Sequence, residues 1–428
     1  MGPEQVSRLE AENQRLRRAV EELSVLNELA AAIGGSRSSE EVVEQVVKKS
    51  VKTIGAEQGL VTLVDDTQVD PTQTYVRTVS SSGDRAILSP NQSLVGWMLL
   101  NKKPLILNSP HSDSRFGGTK WDPSIRSIIC APLLIHGKLL GVLTLYNKKR
   151  GEGFTEDDKR LLSILSLQSA QVLDAARLYE EEKKLTQIQE QLRLARTIQM
   201  RLLPNEMPQI EGYDIAGTSK PAQSVGGDLF DVVQVEPDFV AFWIGDVSGK
   251  GLPASLTMAN TQAVLRTNAM ARIDPAKCIS RTDELLCQYT PKSTFVTGVV
   301  GCFDPATGKC EYSNAGHVKP IVIRNHGQSV ERLETSSLVM GFNASIPRTS
   351  EMTNLASGDT LFLCTDGIDE AMNEHRQLFD DDNAIDFLKQ NHHLSASDQV
   401  EGIVSMVNQF ASGVPQTDDI TLLIVKRN

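Results

Sequence analysis

Hydrophobic positions recur every seven residues at the start of the chain. Val6, Asn13, Val20 and Asn27 are seven apart, and Leu9, Leu16, Leu23 and Ala30 follow three behind. Such a repeat marks the a and d positions of a coiled coil, and Asn at a fixes register in a parallel two-stranded coil at some cost in stability. The alternative is one amphipathic helix packed on the next domain. Gly34 and Gly35 break the pattern, so residues 1–34 are expected to be an N-terminal coiled-coil helix.

From 35 to 172 the period alternates between helix and strand. The spacing predicts a helix over 39–54, with Ser38 or Ser39 as N-cap and Glu41 close behind. Strands are expected over 59–64, 75–81 and 104–107, and a helix opens at Ser93. Residues 127–135 and 138–147 read as a hairpin closed by His136-Gly137. Phe154-Thr155-Glu156-Asp157-Asp158 then caps a helix that no Gly or Pro interrupts before Pro204. Within it Leu178, Leu185 and Leu192 are seven apart, and Ile188, Ala195 and Leu202 share their register. Residues 173–205 are therefore expected to be a second, dimeric coiled coil, either a stiff signalling element or a spacer.

Beyond Pro204 short apolar runs dominate. Strands are predicted over 214–219, 229–235, 239–246, 294–303, 309–313, 320–324, 360–364 and 420–425. Helices are predicted over 253–271, 277–289, 383–390 and 396–411, with a helix-like stretch at 368–372. Strands with grouped helices suggest an α+β sandwich over 206–428, long enough to bury a single core.

Composition adds exclusions. A net charge of −11 argues against general nucleic-acid binding. The six cysteines form no CxxC pair, so neither a disulfide framework nor a zinc site is expected, and a reducing cytoplasm is the simple reading. The first 23 residues have no apolar core of a signal peptide, and no apolar run is long enough to span a bilayer.

The chemistry gathers in acidic motifs beside strands. Asp246 lies in Gly245-Asp246-Val247-Ser248-Gly249-Lys250-Gly251, after a strand and before a helix. Asp366 repeats that grammar in Cys364-Thr365-Asp366-Gly367. Asp418 in Thr417-Asp418-Asp419-Ile420-Thr421 precedes the last strand, and Asp228 in Gly226-Gly227-Asp228 precedes another. A lone Asp-Gly reads as a turn, and an Asp before a helix as a cap. Carboxylates brought together cannot all stay ionised without counter-charge. A hard divalent cation with oxygen ligands, including a carbonyl such as that of Val247, would supply it.

In their order these motifs resemble the metal-dependent protein phosphatases of the SpoIIE/RsbU type, distant relatives of the protein phosphatase 2C superfamily. The likeness covers residues from about 190 to 428. It includes Ala195-Arg196-Thr197-Ile198-Gln199 with Leu202-Leu203-Pro204, Gly226-Gly227-Asp228, Gly245 to Gly251 with Pro253-Ala254, Asn314-Ala315-Gly316-His317, Thr365-Asp366-Gly367 and Asp418-Asp419-Ile420-Thr421. The resemblance implies an α-β-β-α sandwich holding two Mn²⁺ or Mg²⁺ ions. It implies that Asp246 bridges both ions, that the Val247 carbonyl binds one, and that Asp366 and Asp418 hold the other. Asp228 would support a metal directly or through water, while Asp419 ranks below as no inner ligand. Asp246, Asp366 and Asp418 are thus the candidate catalytic residues, with Lys250 and His317 as candidate phosphate contacts. The expected reaction is attack of a metal-activated water on a phosphoserine or phosphothreonine. The expected partner is a phosphorylated anti-sigma-factor antagonist with a STAS fold.

Residues 35–172 resemble a GAF domain, an α/β ligand-sensing module, through Val95-Gly96-Trp97, Asp113-Ser114-Arg115-Phe116, residues 127–132 and 141–147, Phe154 and Asp157-Asp158. Asn147, Lys148, Phe154 and Asp158 partly match a signature of cyclic-nucleotide binding, with Lys159 where an acid is expected. Lys148 and Asp158 read equally as a structural ion pair. Cys130 sits in a strand-like run unsuited to bilin attachment. The whole reads as a homodimeric, sensor-regulated phosphatase with a possible small GAF ligand. The alternatives are a catalytically weak scaffold and a small-molecule receptor.

Overall fold

The computed structural model describes residues 12–13, 39–64, 76–80, 88 and 91–428. Among the expected N-terminal coiled-coil positions only Asn13 is described, and it is helical; the others, with Ser38 and Tyr75, lie outside the described residues. The chain divides into two compact units, 1–187 and 188–428.

The first unit begins with helix α1 (Ser39–Ile54), whose Val42, Val43, Val46, Val47 and Val51 form one buried stripe. That spacing of three and four residues is what puts them on one face. Strands β1 (Ala56–Leu63) and β2 (Val76–Ser80), helix α2 (Gln92–Asn101), then β3 (Leu105–Leu107), β4 (Ile128–Ile135) and β5 (Lys138–Lys148) follow. They form one antiparallel sheet in the order β2-β1-β5-β4-β3. Helix α1 and the start of helix α3 (Glu156–Met200) cover one face through Leu162, Leu165 and Leu173. Helix α2, Phe116 and Trp121 cover the other.

Helix α3 starts in a capping box: Thr155 Oγ1 accepts from the Asp158 amide at 3.2 Å, and Asp158 Oδ2 accepts from the Thr155 amide at 2.9 Å. The helix then runs unbroken for 45 residues. Leu178, Leu185 and Ile188 of its heptad stripe stand exposed.

The second unit is a sandwich. It contains β6 (Tyr213–Lys220), β7 (Leu229–Glu236), β8 (Phe239–Val247), α4 (Leu252–Met270), α5 (Pro275–Tyr289), β9 (Val296–Phe303), β10 (Lys309–Ala315), β11 (Ile321–Arg324), β12 (Ser329–Arg332), β13 (Glu351–Asn354), β14 (Thr360–Cys364), α6 (Asp381–Gln390), α7 (Ala396–Phe410) and β15 (Ile420–Arg427). The two antiparallel sheets have the orders β13-β10-β9-β8-β7 and β12-β11-β14-β15-β6. Alternation along the central strands decides what faces what. In β14, Leu361 and Leu363 join the core shared by both sheets, whereas Phe362 and Cys364 pack with helices α6 and α7. In β8, Phe242 stacks toward Phe303 and, through it, Tyr213 of the other sheet. Its neighbour Trp243 turns outward and donates to Gln262 of α4 at 2.8 Å. Strands buried on both faces explain the near-continuous apolar runs at 239–244 and 420–425.

Two strands escape the sequence pattern. β12 and β13 are edge strands with almost wholly exposed side chains, so no alternation marks them. The helix-like stretch at 368–372 is a correction: residues 366–370 make isolated turns. A Glu370 N–H to Asp366 carbonyl bond closes one turn, longer bonds from Ile368 to Thr365 and from Ala371 to Ile368 close tighter ones, and the chain then folds back through the Met372–Leu378 bridge.

Candidate active site

Strand order brings the acidic motifs together. In the first sheet Leu229 pairs with Gly245, so Asp228 and Asp246 flank the same end of the β7–β8 ladder. In the second sheet Cys364 pairs with Leu422, so Asp366, just beyond β14, and Asp418, just before β15, lie at one end of that ladder. The four carboxyls feel one another. Burial, then the Asp246 charge, raises Asp228 well above the usual carboxylate range. Burial, then Asp366, pushes Asp246 up to about 6, partly offset by a hydrogen bond from Asp228. Burial, then Glu370 and Asp418, raises Asp366. Burial and mutual repulsion thus penalise the charged forms of Asp228, Asp246 and Asp366, a cost that a cation between them would relieve.

The donors are hard oxygens, which suits Mn²⁺ or Mg²⁺ rather than a thiophilic metal. The backbone also leaves room. A Cβ on Gly227 would lie 2.9 Å from the Val247 carbonyl oxygen and 3.4 Å from Asp246 Oδ1, so glycine alone keeps that concave corner open. The four carboxylates do not close into a group with one oxygen from each within 4.8 Å of all the others. Among the described residues, the acidic group whose oxygens all lie within 4.8 Å is Asp380, Asp381 and Asp382. Two of these are already paired with Arg332.

Lys250 Nζ sits 2.9 Å from Asp418 Oδ2 and donates to the Thr417 carbonyl at 2.5 Å. It joins the Asp246 loop to the Asp418 loop. His317 is buried instead: its Nδ1 lies 2.8 Å from Thr297 Oγ1, and its amide donates to Asn314 Oδ1 at 2.8 Å. Burial pushes its pKa down to about 4, so the ring is neutral at pH 7. Its surroundings are those of a side chain fixed inside the protein.

Asp419 is spent on the backbone. Its Oδ1 accepts from the Ala222 amide and its Oδ2 from the Gly227 amide, each at 2.7 Å. The carboxylate thus ties the start of β15 to the loop that carries Asp228. Gly367 is required beside it, because a Cβ there would lie 1.9 Å from the Asp419 carbonyl oxygen.

Three supporting residues have no role assigned from the sequence. Thr365 Oγ1 donates to Asp228 Oδ2 at 2.8 Å and accepts from the Thr421 amide at 3.1 Å, linking the two sheets. Glu370 adds negative charge next to Asp366. Gln199, in the last turn of α3, exchanges two bonds with Gly226: Nε2 donates to the carbonyl at 2.7 Å and Oε1 accepts from the amide at 3.0 Å. Thr365 and Gln199 stand inside the quoted motifs, but only the fold shows what they hold.

In the first unit the cyclic-nucleotide signature residues have structural partners. Lys148 Nζ pairs with Asp158 Oδ1 and donates to the Ile54 carbonyl, both at 2.7 Å. Asn147 Oδ1 accepts from the Arg126 amide at 2.7 Å, and its Nδ2 donates to the Ser124 carbonyl at 2.9 Å. Cys130 is fully buried, which raises its thiol pKa.

The second unit is thus a helix-flanked double sheet with its acidic loops at one end. The fold is similar to that of the "SiaA-PP2C domain of Pseudomonas aeruginosa", with a TM-score of 0.51, 24% identity, and coverage of 57% of this chain and 99% of that one. Residues 236–428 match the family described as Stage II sporulation protein E (SpoIIE), and residues 36–174 match the GAF domain. The chain thus carries one segment similar to the SpoIIE family and one similar to GAF domains. Asp246, Val247, Lys250, His317, Asp366 and Asp418 lie inside the SpoIIE match, whereas Asp228 precedes it. Phosphoserine phosphatase RsbU of Bacillus subtilis is 26% identical over 254 residues, 58% of this chain and 75% of that protein. Protein IcfG of Synechocystis is 26% identical over 266 residues, 56% of this chain but only 42% of its own length. Among the described residues no helix is long and apolar enough to cross a membrane.

Proposed function

We propose that this chain is a protein serine/threonine phosphatase that uses two Mn²⁺ or Mg²⁺ ions and is governed by its GAF domain through a dimeric coiled coil. The observation that carries the reading is the meeting of Asp228, Asp246, Asp366 and Asp418 at the ends of two facing sheets, where burial and neighbouring carboxylates raise the pKa values of Asp228, Asp246 and Asp366. Asp246 would be shared between the two ions. The Val247 carbonyl would bind one, Asp366 and Asp418 the other, and Asp228 would support them directly or through water. Bound there, divalent ions supply Lewis acidity that neutralises a phosphate dianion and lowers the pKa of a water.

The chain's own groups hold that arrangement still. Thr365 orients Asp228, and Asp419 clamps the loop beside it. Lys250 is the one cation at the Asp418 edge among the residues singled out from the sequence, and it is mobile enough in kind to turn from Asp418 to a phosphate oxygen. His317 lacks the exposure that such a contact needs.

The substrate we propose is a phosphorylated STAS-domain anti-sigma-factor antagonist in the cytoplasm. The likeness to a protein named as a phosphoserine phosphatase supports the phosphoserine part of that reading. Control by the sensor is supported by two features of α3. Its Leu178, Leu185 and Ile188 form an exposed seven-residue stripe suited to a second copy. Its Gln199 grips Gly226, two residues from Asp228. The test is phosphate release from such a phosphoprotein with Mn²⁺, with EDTA, and after Asp246→Ala. Metal-dependent release that Asp246→Ala abolishes is expected. No release from the parent chain would refute the proposal and favour a scaffold.

A further inference from the structure

A rigid apolar face lies next to the Asp246 loop. Phe295, just before β9, is bound to that loop in both directions: its amide donates to Ser248 Oγ and its carbonyl accepts from the Ser248 amide, each at 2.9 Å. Ser248 is the second residue after Asp246. A strap over 337–342 lies against the same segment. Met340 and Val296 exchange backbone bonds of 2.8 and 2.9 Å, and a Cβ on Gly341 would meet the Phe295 Cα at 3.4 Å and Leu286 of α5 at 3.5 Å. The face therefore comprises the strap, the start of β9 and the end of α5.

Its large side chains are left in solvent. Phe342 is 71% exposed, Tyr289 78%, Leu338 58% and Phe295 41%. Their neighbours Met340 and Leu286 are buried, so the segment has a core side and keeps these four outside it. The backing is stiff. Arg348 and Asp283 form an ion pair buried on both sides at 2.5 Å. The same guanidinium donates to the Leu338 and Val339 carbonyls, and Asp283 Oδ1 accepts from the Gly341 amide at 2.6 Å. Removing either charge would leave the other buried and unpaired, so the strap is held in one shape. A preorganised surface with exposed aromatics is the kind that anchors a protein partner.

We propose that Phe295, Leu338, Phe342 and Tyr289 form the docking surface for the folded phosphoprotein substrate, which contacts them with an apolar surface beside its phosphorylated residue. The proposal rests on the phosphatase reading above. Continuity with the Asp246 loop selects this occupant, since a protein whose phosphate reaches the carboxylates must also cover what adjoins them.

The experiment compares the full-length parent with Phe342→Ala and with Phe342→Ala plus Leu338→Ala. Each is assayed with Mn²⁺ on a phosphorylated STAS-domain protein and on p-nitrophenyl phosphate, and sized by light scattering. The double variant is expected to lower kcat/KM on the phosphoprotein about ten-fold or more, mainly through KM, as the loss of two anchor side chains predicts. Its rate on p-nitrophenyl phosphate is expected to stay within about two-fold, because that ester needs only the carboxylate cluster. Equal losses on both substrates, no loss on either, or a change of oligomeric state would overturn the proposal. A parent chain inactive on both substrates would instead refute the phosphatase reading itself.

Discussion

Replacing Asp246 by Asn separates the cost of the acidic cluster from its use. In the metal-free chain burial and Asp366 raise the Asp246 pKa from 3.8 to about 6. A raised carboxyl pKa means that the folded state binds its proton more tightly than the unfolded state. Stability from this group is therefore complete below about pH 4 and is lost as pH rises through about 6. The shift corresponds to about 3 kcal/mol of lost stability at pH 7, from about 1.4 kcal/mol per pKa unit. Asn keeps the size of the side chain but carries no charge. Asp246→Asn should stabilise the second unit without metal at about pH 7 by up to about 3 kcal/mol, or roughly 6–12 °C in Tm for a domain of this size. Near pH 4 the two proteins should melt together. The same substitution removes the carboxylate proposed to be shared by both ions, so the rise in Tm on adding Mn²⁺ should shrink or vanish. Thermal unfolding by circular dichroism, in EDTA and in Mn²⁺ across this pH range, tests all three points. A variant no more stable than the parent at about pH 7 in EDTA, or one that keeps the full metal-induced rise, would refute the reasoning.

Other substitutions probe the supporting residues. Thr365→Val deletes the donor to Asp228 and the acceptor for the Thr421 amide, and should cost about 1–3 kcal/mol and weaken Mn²⁺ binding in isothermal titration. Thr365→Ser should restore both, and equal metal affinity in all three proteins would count against an orienting role. Asp419→Ala strands the Ala222 and Gly227 amides and should cost about 2–5 kcal/mol in urea unfolding, more than Asp418→Ala at the exposed edge; the reverse order would contradict the clamp. Gly227→Ala pushes a methyl toward the Val247 carbonyl and should abolish the metal-induced rise in Tm while leaving far-UV dichroism unchanged. A flexible insertion between Ala175 and Leu203 should change the phosphatase rate, and an unchanged rate would reduce the helix to a spacer.

The sequence was most legible where burial forced a period. The valines of α1, the apolar runs at 239–244 and 420–425, and the Thr155–Asp158 cap all state their structure locally. β12 and β13 were illegible because an edge strand with both faces in water needs no hydrophobic pattern. The stretch at 368–372 looked helical because composition cannot register the Met372–Leu378 bridge that reverses the chain.

At the site, the acidic motifs singled out Asp228, Asp246, Asp366 and Asp418 as candidates, and the family resemblance ranked Asp419 below its neighbour. Those residues can be picked out because an Asp at a strand end is a local arrangement that recurs four times in the chain. What each adjacent side chain holds was decided only by tertiary structure. Asp418 and Asp419 are neighbours in sequence, yet one meets Lys250 and the other grips amides nearly 200 residues away. His317 and Lys250 looked alike as cations in motifs, and folding buried the first as a neutral ring while leaving the second half-exposed on a carboxylate. The physical reason is common to both pairs. Residue type and spacing set which groups are available, but burial and partners set their charge, and those come from sheets that join distant parts of the chain.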